Sequence, residues 1–418
     1  MEVFFSVGEP RGDLHGSNLV RELQRRNSAV HCVGYGGPKM QAAGVQLHAD
    51  LTELAVMGIG PVLGKIPQFL DYLVRADRYF CHQRPDAVVL IDYPGFNWWI
   101  ARRAKAHGIP VFYYGVPQLW AWGRWRVRKM RRLIDHVLCK LPFEEGWFRQ
   151  RGCQATFLGH PYFDQLVNQQ LDTQFLETFG GSSEPLVTIL PGSRRHEIAS
   201  NLNAFLKAAD YVHQAVPGVR FAIASYNDQQ AHLARQICAS RQVDIEVITG
   251  RTQELMHLAH CCMACSGSVS LELLYHRTPS VIHYLIQRLS YQLLRPLLKV
   301  KYITLLNILA DADPFPKRRL LYDPQNGTAD GVLMPEYLTY EDKSQQVANH
   351  VIEWLTSETA YSQVVERLDA LRSSVCAPGA SQRCAEYVLH HLEQRVPKTP
   401  RPHYQPKVVA SSSRKQAA

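Results

Sequence analysis

The stretch Leu186–Glu197, LVTILPGSRRHE, decides the fold. Leu186 to Leu190 read as a buried strand that breaks at Pro191-Gly192 and passes through Ser193-Arg194 into a helix. Such a glycine turn aims backbone N–H groups and the positive end of a helix at one spot, a geometry suited to phosphate. Arg194 adds a bidentate donor able to neutralise a diphosphate without a metal. Taken alone, the segment reads first as an ordinary strand–helix joint of an α/β fold. The rest of the chain changes that reading.

Upstream, the first 160 or so residues alternate short apolar runs with helical stretches, the pattern of a parallel sheet wrapped by helices. VFFSVG leads to a helix over Ser17–Arg25, and Val30–Tyr35 leads to GGPKMQAAG. DAVVLID (Asp86–Asp92), IPVFYYGV and His136–Lys140 supply further strands. A second series follows the polar break Gly180–Pro185, with LVTIL, VRFAIAS, IEVITG, CCMACSG and PSVIHYL as strands. The expected class is α/β: two Rossmann-like domains facing across a cleft. Residues 1–165 form the first and 180–340 the second. Helices over 341–395 close the structure, and a basic, disordered tail spans 396–418.

At 418 residues the chain has room for two or three domains. The formal net charge is +9, but Lys398, Arg401, Lys407, Arg414 and Lys415 lie in the acid-free tail, leaving the body at +4. That is not the global signature of a nucleic-acid protein. The N-terminus MEVFFSVGEP is strand-like and lacks a charged region before an apolar core, so a signal peptide is not expected and the ten cysteines read as free thiols in a reducing cytoplasm. Cys262 and Cys265 have no second pair at zinc spacing, and structural thiols are the better reading. The longest uncharged run, Ala106 to Gly123, holds two prolines and three glycines and cannot be a membrane-spanning helix. Any membrane relationship is then peripheral.

A second strand-to-helix junction occurs at CSGSVSLE. Ser266, Gly267 and Ser268 let a ligand approach the backbone, and Glu272, about one turn on, can accept hydrogen bonds from vicinal ribose hydroxyls. Alone, Glu272 is a helix-start acid. Two such junctions and one acid in one half suggest a nucleotide diphosphate pocket at the strands' carboxyl ends. Neither G-x-G-x-x-G with a downstream acid nor G-x-x-x-x-G-K-[ST] occurs, which weakens NAD and P-loop readings.

In the first half, Asp92 ends the strand AVVLID before the break Tyr93-Pro94-Gly95. An acid there suits a general base, or caps a turn. Gly8-Glu9-Pro10-Arg11-Gly12-Asp13 repeats the junction at the first strand's end, and Glu9, Asp13 and His15 either position a ligand or shape the loop. Trp120–Arg132 interleaves three Trp with six basic residues. It fits a nucleic-acid surface, an anionic membrane interface or a solvated helix face. Val56–Tyr72, VMGIGPVLGKIPQFLDY, fits core or a flap that dips into lipid.

These motifs together resemble one family, the lipid-A-disaccharide synthases, two-domain inverting glycosyltransferases of GT-B architecture. The resemblance runs over roughly residues 3–395 and is carried by GEPRGDLHG, GGPKMQAAG, LAVMGIGPVLG, IDYPGFN, PQLWAWGRWRV, LPFEEGWF, LGHPYFD, LPGSRRHE, SGSVSLE and YITLLNILA. It implies that UDP-2,3-diacylglucosamine is attacked by the 6-hydroxyl of 2,3-diacylglucosamine 1-phosphate, giving a β-1,6 disaccharide and UDP, with no metal and no cofactor. By the same resemblance Asp92 is the general base; Glu9, from the end of the first strand, is the second catalytic candidate. Gly192, Ser193, Arg194, Glu197, Ser266, Gly267, Ser268, Glu272 and Asn307 surround the UDP. Arg11, Asp13, Met57, Val62, Leu63, Phe69, Trp120 and Arg126 form the acceptor and lipid region. The implied location is cytoplasmic, peripheral on the inner face of the inner membrane. Nucleic acid is not an expected partner, and a homodimer is left open.

Three departures fall in the acceptor half. The family usually has serine at Arg11, aspartate at Gly95 and S-P-S at Val116-Pro117-Gln118. The UDP-side motifs are mostly kept. A transferase with another acceptor, or a non-catalytic homologue that binds UDP-sugar or lipid, is therefore the competing expectation.

Overall fold

The computed structural model describes residues 1–54, 59–239, 243–267, 269–294, 298–315, 322 and 332–394. Met57, Ser268 and the tail from 396 lie outside them, as do the side chains of Val62 and Leu63. The chain divides into two compact units. Unit 1 takes in Met1–Leu119, Gly123–Asp164 and the chain from Pro378, and unit 2 takes in Trp120–Trp122 and Gln165–Ala377.

Unit 1 is built on seven parallel strands: β1 (Glu2–Val7), β2 (His31–Gly36), β3 (Gln46–Asp50), β4 (Ala87–Ile91), β5 (Val111–Tyr114), β6 (His136–Cys139) and β7 (Ala155–Phe157). Their order is β3-β2-β1-β4-β5-β6-β7. The β4 and β5 runs AVVLI and VFYY are buried at every position, as strands covered on both faces must be. The chain reverses its direction of strand addition between β1 and β4, which pair in parallel from Val3↔Ala87 to Val7↔Ile91. The crevice outside the carboxyl ends at that switch point is where open α/β sheets bind ligands.

Unit 2 repeats the plan with β8 (Leu186–Leu190), β9 (Arg220–Ser225), β10 (Ile245–Thr249), β11 (Cys261–Ala264), β12 (Ser280–Leu285) and β13 (Glu336–Thr339), all parallel, in the order β10-β9-β8-β11-β12-β13. Its switch point lies between β8 and β11. The two junctions singled out in the sequence therefore flank one crevice.

The three C-terminal helices divide between the units. Ser344–Thr356 buries Val347, Ala348, Val351 and Trp354 with Leu202, Phe205 and Leu206 in the core of unit 2. Ala380–Glu393 sets Cys384, Ala385, Val388 and Leu389 against Leu19, Val20 and Leu23 in unit 1. The start of that last helix is held by Asp164 of LGHPYFD, whose carboxylate accepts from the N–H groups of Gly379 (2.6 Å), Ala380 (3.0 Å) and Ser381 (2.9 Å). An acid at a helix start meets free N–H donors and the positive dipole end together. Among the described residues no helix is long and apolar enough to cross a membrane.

Candidate functional site

The site of unit 1 is organised around Asp92, one residue past the end of β4. Asp92 and Tyr93 have φ values of 46° and 43°, the left-handed region that side-chain-bearing residues rarely adopt. The strain is held in place by hydrogen bonds. The Asp92 carbonyl accepts from Asn97 Nδ2 (2.8 Å) and Tyr113 OH (2.7 Å). Asn97 also donates to the Ser6 carbonyl (3.2 Å) and accepts from the Ser6 hydroxyl (2.7 Å), so one buried amide ties β1 to β4 at the switch point.

Lys140, at the end of β6, brings Nζ to 3.4 Å from Asp92 Oδ1. It passes Gly115, where a Cβ would stand 2.9 Å from the same oxygen, and where φ is +69°. Gly8 is equally constrained, because a Cβ there would lie 2.2 Å from the Tyr93 ring.

Glu9 lies in the same electrostatic environment. Crowding by protein, then the Asp92 charge, push its carboxyl up, and Lys140 and Arg11 partly offset this. Burial pushes His15 down to about 4 against the pull of Asp92, and holds His160 of LGHPYFD well below the ordinary histidine range, so both are neutral at pH 7. His15 is buried and its Nδ1 has no hydrogen-bond partner.

The remaining candidates of the first half are placed as follows. Asp13 is buried and accepts from the N–H groups of Gly37 (2.8 Å), Met40 (3.1 Å) and Lys39 (2.9 Å), so it caps the helix Pro38–Ala42. Arg11 is exposed. Arg126 is half-buried, and that burial lowers its pKa. Phe69 packs on Tyr93 and Phe96, with ring centroids 6.3 and 5.6 Å apart, which joins the helix Ile59–His82 to the Asp92 loop. On that helix Ile66, Leu70 and Val74 are exposed at four-residue spacing, an apolar stripe along one face. Trp120, expected in the first domain, groups with unit 2 and packs on Phe315 at 5.7 Å.

In unit 2 the PGSR turn is braced from three sides. Glu197 reaches back so that one oxygen accepts from Ser193 N–H (2.9 Å) and Arg194 N–H (3.0 Å), and the other from Arg194 Nη1 (2.9 Å). This closes the start of the helix Arg195–Ala215. Gly192, at φ +120°, leaves room for it, since a Cβ there would be 2.5 Å from that of Glu197. Gln230, on the helix after β9, donates to the Ser193 carbonyl (2.5 Å) and accepts from Tyr226 N–H (3.2 Å). Asn201 donates to the Glu197 carbonyl (2.8 Å) and accepts from Leu285 N–H (2.7 Å), linking the turn to β12. The Ser193 and Arg194 N–H groups, expected to meet phosphate, are thus taken by Glu197. What the turn offers an anion is Arg194, about half exposed, and the helix end.

Across the crevice Cys265 directly follows β11 and is buried, with its thiol pushed up to about 12, and a Cβ on Gly267 would meet nothing within 4 Å among the described residues. Glu272 accepts from Gln253 Nε2. Asn307, expected near the UDP, has its amide fully engaged by neighbouring chain. Its amide donates to the Met334 carbonyl (2.7 Å) and Glu336 (3.0 Å), and accepts from Leu333 N–H (3.1 Å) and Met334 N–H (3.0 Å). That side chain is spent on the loop before β13.

Lys140, Asn97, Gln230 and Gln253 are the functional candidates that sequence reasoning missed. Asn97 closes the quoted block IDYPGFN and Lys140 directly precedes LPFEEGWF, so both stood beside a signal. Gln230 and Gln253 had none.

Two Rossmann-type units, each with a polar site at its switch point and one with a glycine–arginine turn, give the chain the fold class of GT-B proteins. Solved structures agree on the fold. The chain is similar to Staphylococcus aureus MnaA solved with UDP (TM-score 0.61, 12% identity, 96% of this chain and 98% of that one). It is also similar to the UDP-GlcNAc 2-epimerase of Neisseria meningitidis solved with UDP-GlcNAc (TM-score 0.58, 13% identity, 93% and 100%). The model of the family described as lipid-A-disaccharide synthetase matches residues 3–367. Lipid-A-disaccharide synthases of Syntrophus aciditrophicus (32% identical over 389 residues, 93% of this chain and 97% of the relative) and Trichlorobacter lovleyi (32% over 396, 94% and 98%) align over nearly their whole lengths. The chain belongs to the lipid-A-disaccharide synthase family, glycosyltransferases of lipid A biosynthesis.

Proposed function

We propose that the chain joins UDP-2,3-diacylglucosamine to 2,3-diacylglucosamine 1-phosphate, forming the β-1,6-linked disaccharide 1-phosphate and releasing UDP. Asp92 takes the proton of the acceptor's 6-hydroxyl. That oxygen attacks the donor's anomeric carbon opposite the diphosphate, the bond from carbon to phosphate oxygen breaks, and the configuration inverts. Negative charge grows on the leaving β-phosphate, where Arg194 and the end of helix Arg195–Ala215 stabilise it. Glu9, with its raised carboxyl pKa, holds the acceptor hydroxyls. Glu272 accepts from the ribose of UDP.

The observation that carries this reading is Asp92 itself. Strained backbone is kept where a surrounding network over-determines it, and such positions cluster at active sites. The exposed stripe Ile66, Leu70, Val74 supports acyl-chain and membrane contact by unit 1, peripheral at the cytoplasmic face of the inner membrane. The chain acts as a monomer or a homodimer, and nucleic acid is not a partner. Arg11 and Gly95, where the family has serine and aspartate, favour a second reading in which the donor is the same and the acceptor differs.

The test is a turnover assay of the purified chain with radiolabelled UDP-2,3-diacylglucosamine and the 1-phosphate acceptor in detergent micelles. Disaccharide 1-phosphate and UDP are expected. Absence of product while UDP still binds would transfer the reading to another acceptor or to a binding protein.

A further inference from the structure

Glu272 and His276 stand one helical turn apart on Val269–His276, so both side chains leave the same face. Gln253, in the first turn of Thr252–Leu258 after β10, bridges them. Its Nε2 donates to Glu272 Oε2, and its Oε1 lies 2.9 Å from His276 Nε2. Only one arrangement satisfies all three groups. An ionised carboxylate can only accept, so the amide nitrogen must face Glu272. The amide oxygen then faces His276, whose Nε2 must carry the hydrogen. Burial, with His257 and Arg372, pushes His276 down to about 4, so the ring is neutral at pH 7 and adds no charge to the relay.

We infer that Gln253, fixed by His276, is a positioning residue that orients Glu272 toward the vicinal ribose hydroxyls and so makes unit 2 select ribonucleoside over deoxyribonucleoside diphosphates. The inference rests on the reading of Glu272 as the ribose-binding acid. A carboxylate free to rotate would meet a ribose in many orientations. One oxygen pinned by an amide fixes the plane of the group, and with it the direction in which the carboxylate can accept from a diol. A site built to accept from a hydroxyl discriminates strongly against the analogue that lacks it.

The experiment is calorimetric titration of the full chain with UDP, 2′-deoxy-UDP and inorganic pyrophosphate. Wild type is expected to bind UDP roughly tenfold or more tighter than 2′-deoxy-UDP, the range of hydrogen bonds to charged groups. Gln253→Met is expected to bring that ratio below roughly threefold, with pyrophosphate binding unchanged as the check that the site is folded. Gln253→Glu sets a like charge against Glu272 and is expected to lower the ratio at least as far. His276→Phe, which frees the amide to flip, is expected to fall between.

Glu272→Gln separates the two failures. If it abolishes the preference while Gln253→Met and Gln253→Glu keep it, the relay is overturned and the ribose role of Glu272 stands. If Glu272→Gln keeps the preference, the role of Glu272 fails and the relay falls with it.

Discussion

The two switch-point sites follow one topology and are built in opposite ways. In unit 2 the turn's own donors are satisfied internally: Glu197, Gln230 and Asn201 close the PGSR segment into a network, and Arg194 is the group that projects from it. In unit 1 the backbone is strained at Asp92, charged groups crowd together, and His15 keeps a buried unpartnered nitrogen. A satisfied network rigidifies and pre-organises, which suits holding a nucleotide that leaves unchanged in shape. Strain with mixed charge suits a group that must gain and lose a proton. Under the proposed function, the difference matches grip in one unit and chemistry in the other.

Asp92→Asn should give the largest effect. Asparagine keeps the shape and tolerates left-handed backbone, so folding and UDP affinity are expected to survive while turnover falls by about 10²–10⁴, the usual worth of a general base. Turnover at the wild-type rate would remove Asp92 from the mechanism. A parallel loss of UDP affinity would show that the two sites are not separable in this way.

Much of this was legible in the sequence, for identifiable reasons. Strands β8 and β9 were readable because central parallel strands are continuous apolar runs ended by glycine or polar turns. The strands that escaped notice are β3 (QLHAD), β7 (ATF) and β13 (EYLT), all at sheet edges. An edge strand pairs on one side only, is short, and carries no such run. The PGSR turn was legible because its signal is local. What fills its N–H groups was not, although Glu197 lies in the same motif, because a motif marks position and not hydrogen-bond partners. Lys140 reaches the Asp92 site from the end of β6, Gln230 reaches the PGSR turn from the helix after β9, and Gln253 reaches Glu272 from another helix, and nothing local announces a contact of that kind. Asn307 shows the converse, a motif residue whose amide is consumed by packing.

The scaffold behind the unit 2 site allows a test by pH. Burial pushes the Glu336 carboxyl up to about 7 from an ordinary 4.5, despite hydrogen bonds from Thr304, Ile303 N–H and Asn307. The folded chain therefore holds this proton more tightly than the unfolded chain does. The resulting stability is complete below about 4.5 and is lost as pH rises through about 7. His276, His283 and His350 act in the opposite sense, since burial holds each near 4 and folding is favoured as pH climbs toward 6.5. Subtracting Glu336→Gln isolates the one term. The stability of wild type relative to that variant, from urea unfolding of unit 2, is expected to fall by on the order of 3 kcal/mol between pH 4.5 and 7.5. A difference that stays flat would mean that the hydrogen bonds, not burial, set the Glu336 carboxyl.

Gly95→Asp carries the smallest expected effect and bears on the openness of unit 1. Gly95 lies in the first turn of the helix Pro94–Ala106, its φ is outside the left-handed region, and a Cβ there would meet nothing within 4 Å among the described residues. Nothing in its surroundings requires glycine. Aspartate restricts the unfolded chain and meets the positive helix end, and repulsion from Asp92 and Glu9 trims the gain, leaving a stabilisation of about 0.5 kcal/mol. Turnover is expected to change by less than roughly threefold, under ~0.7 kcal/mol of barrier. Loss of stability would show that the space is not open. A tenfold rise in turnover would show that the acceptor site lacks an acid it can use, and that chemistry in unit 1 does not rest on Asp92, Glu9 and Lys140 alone.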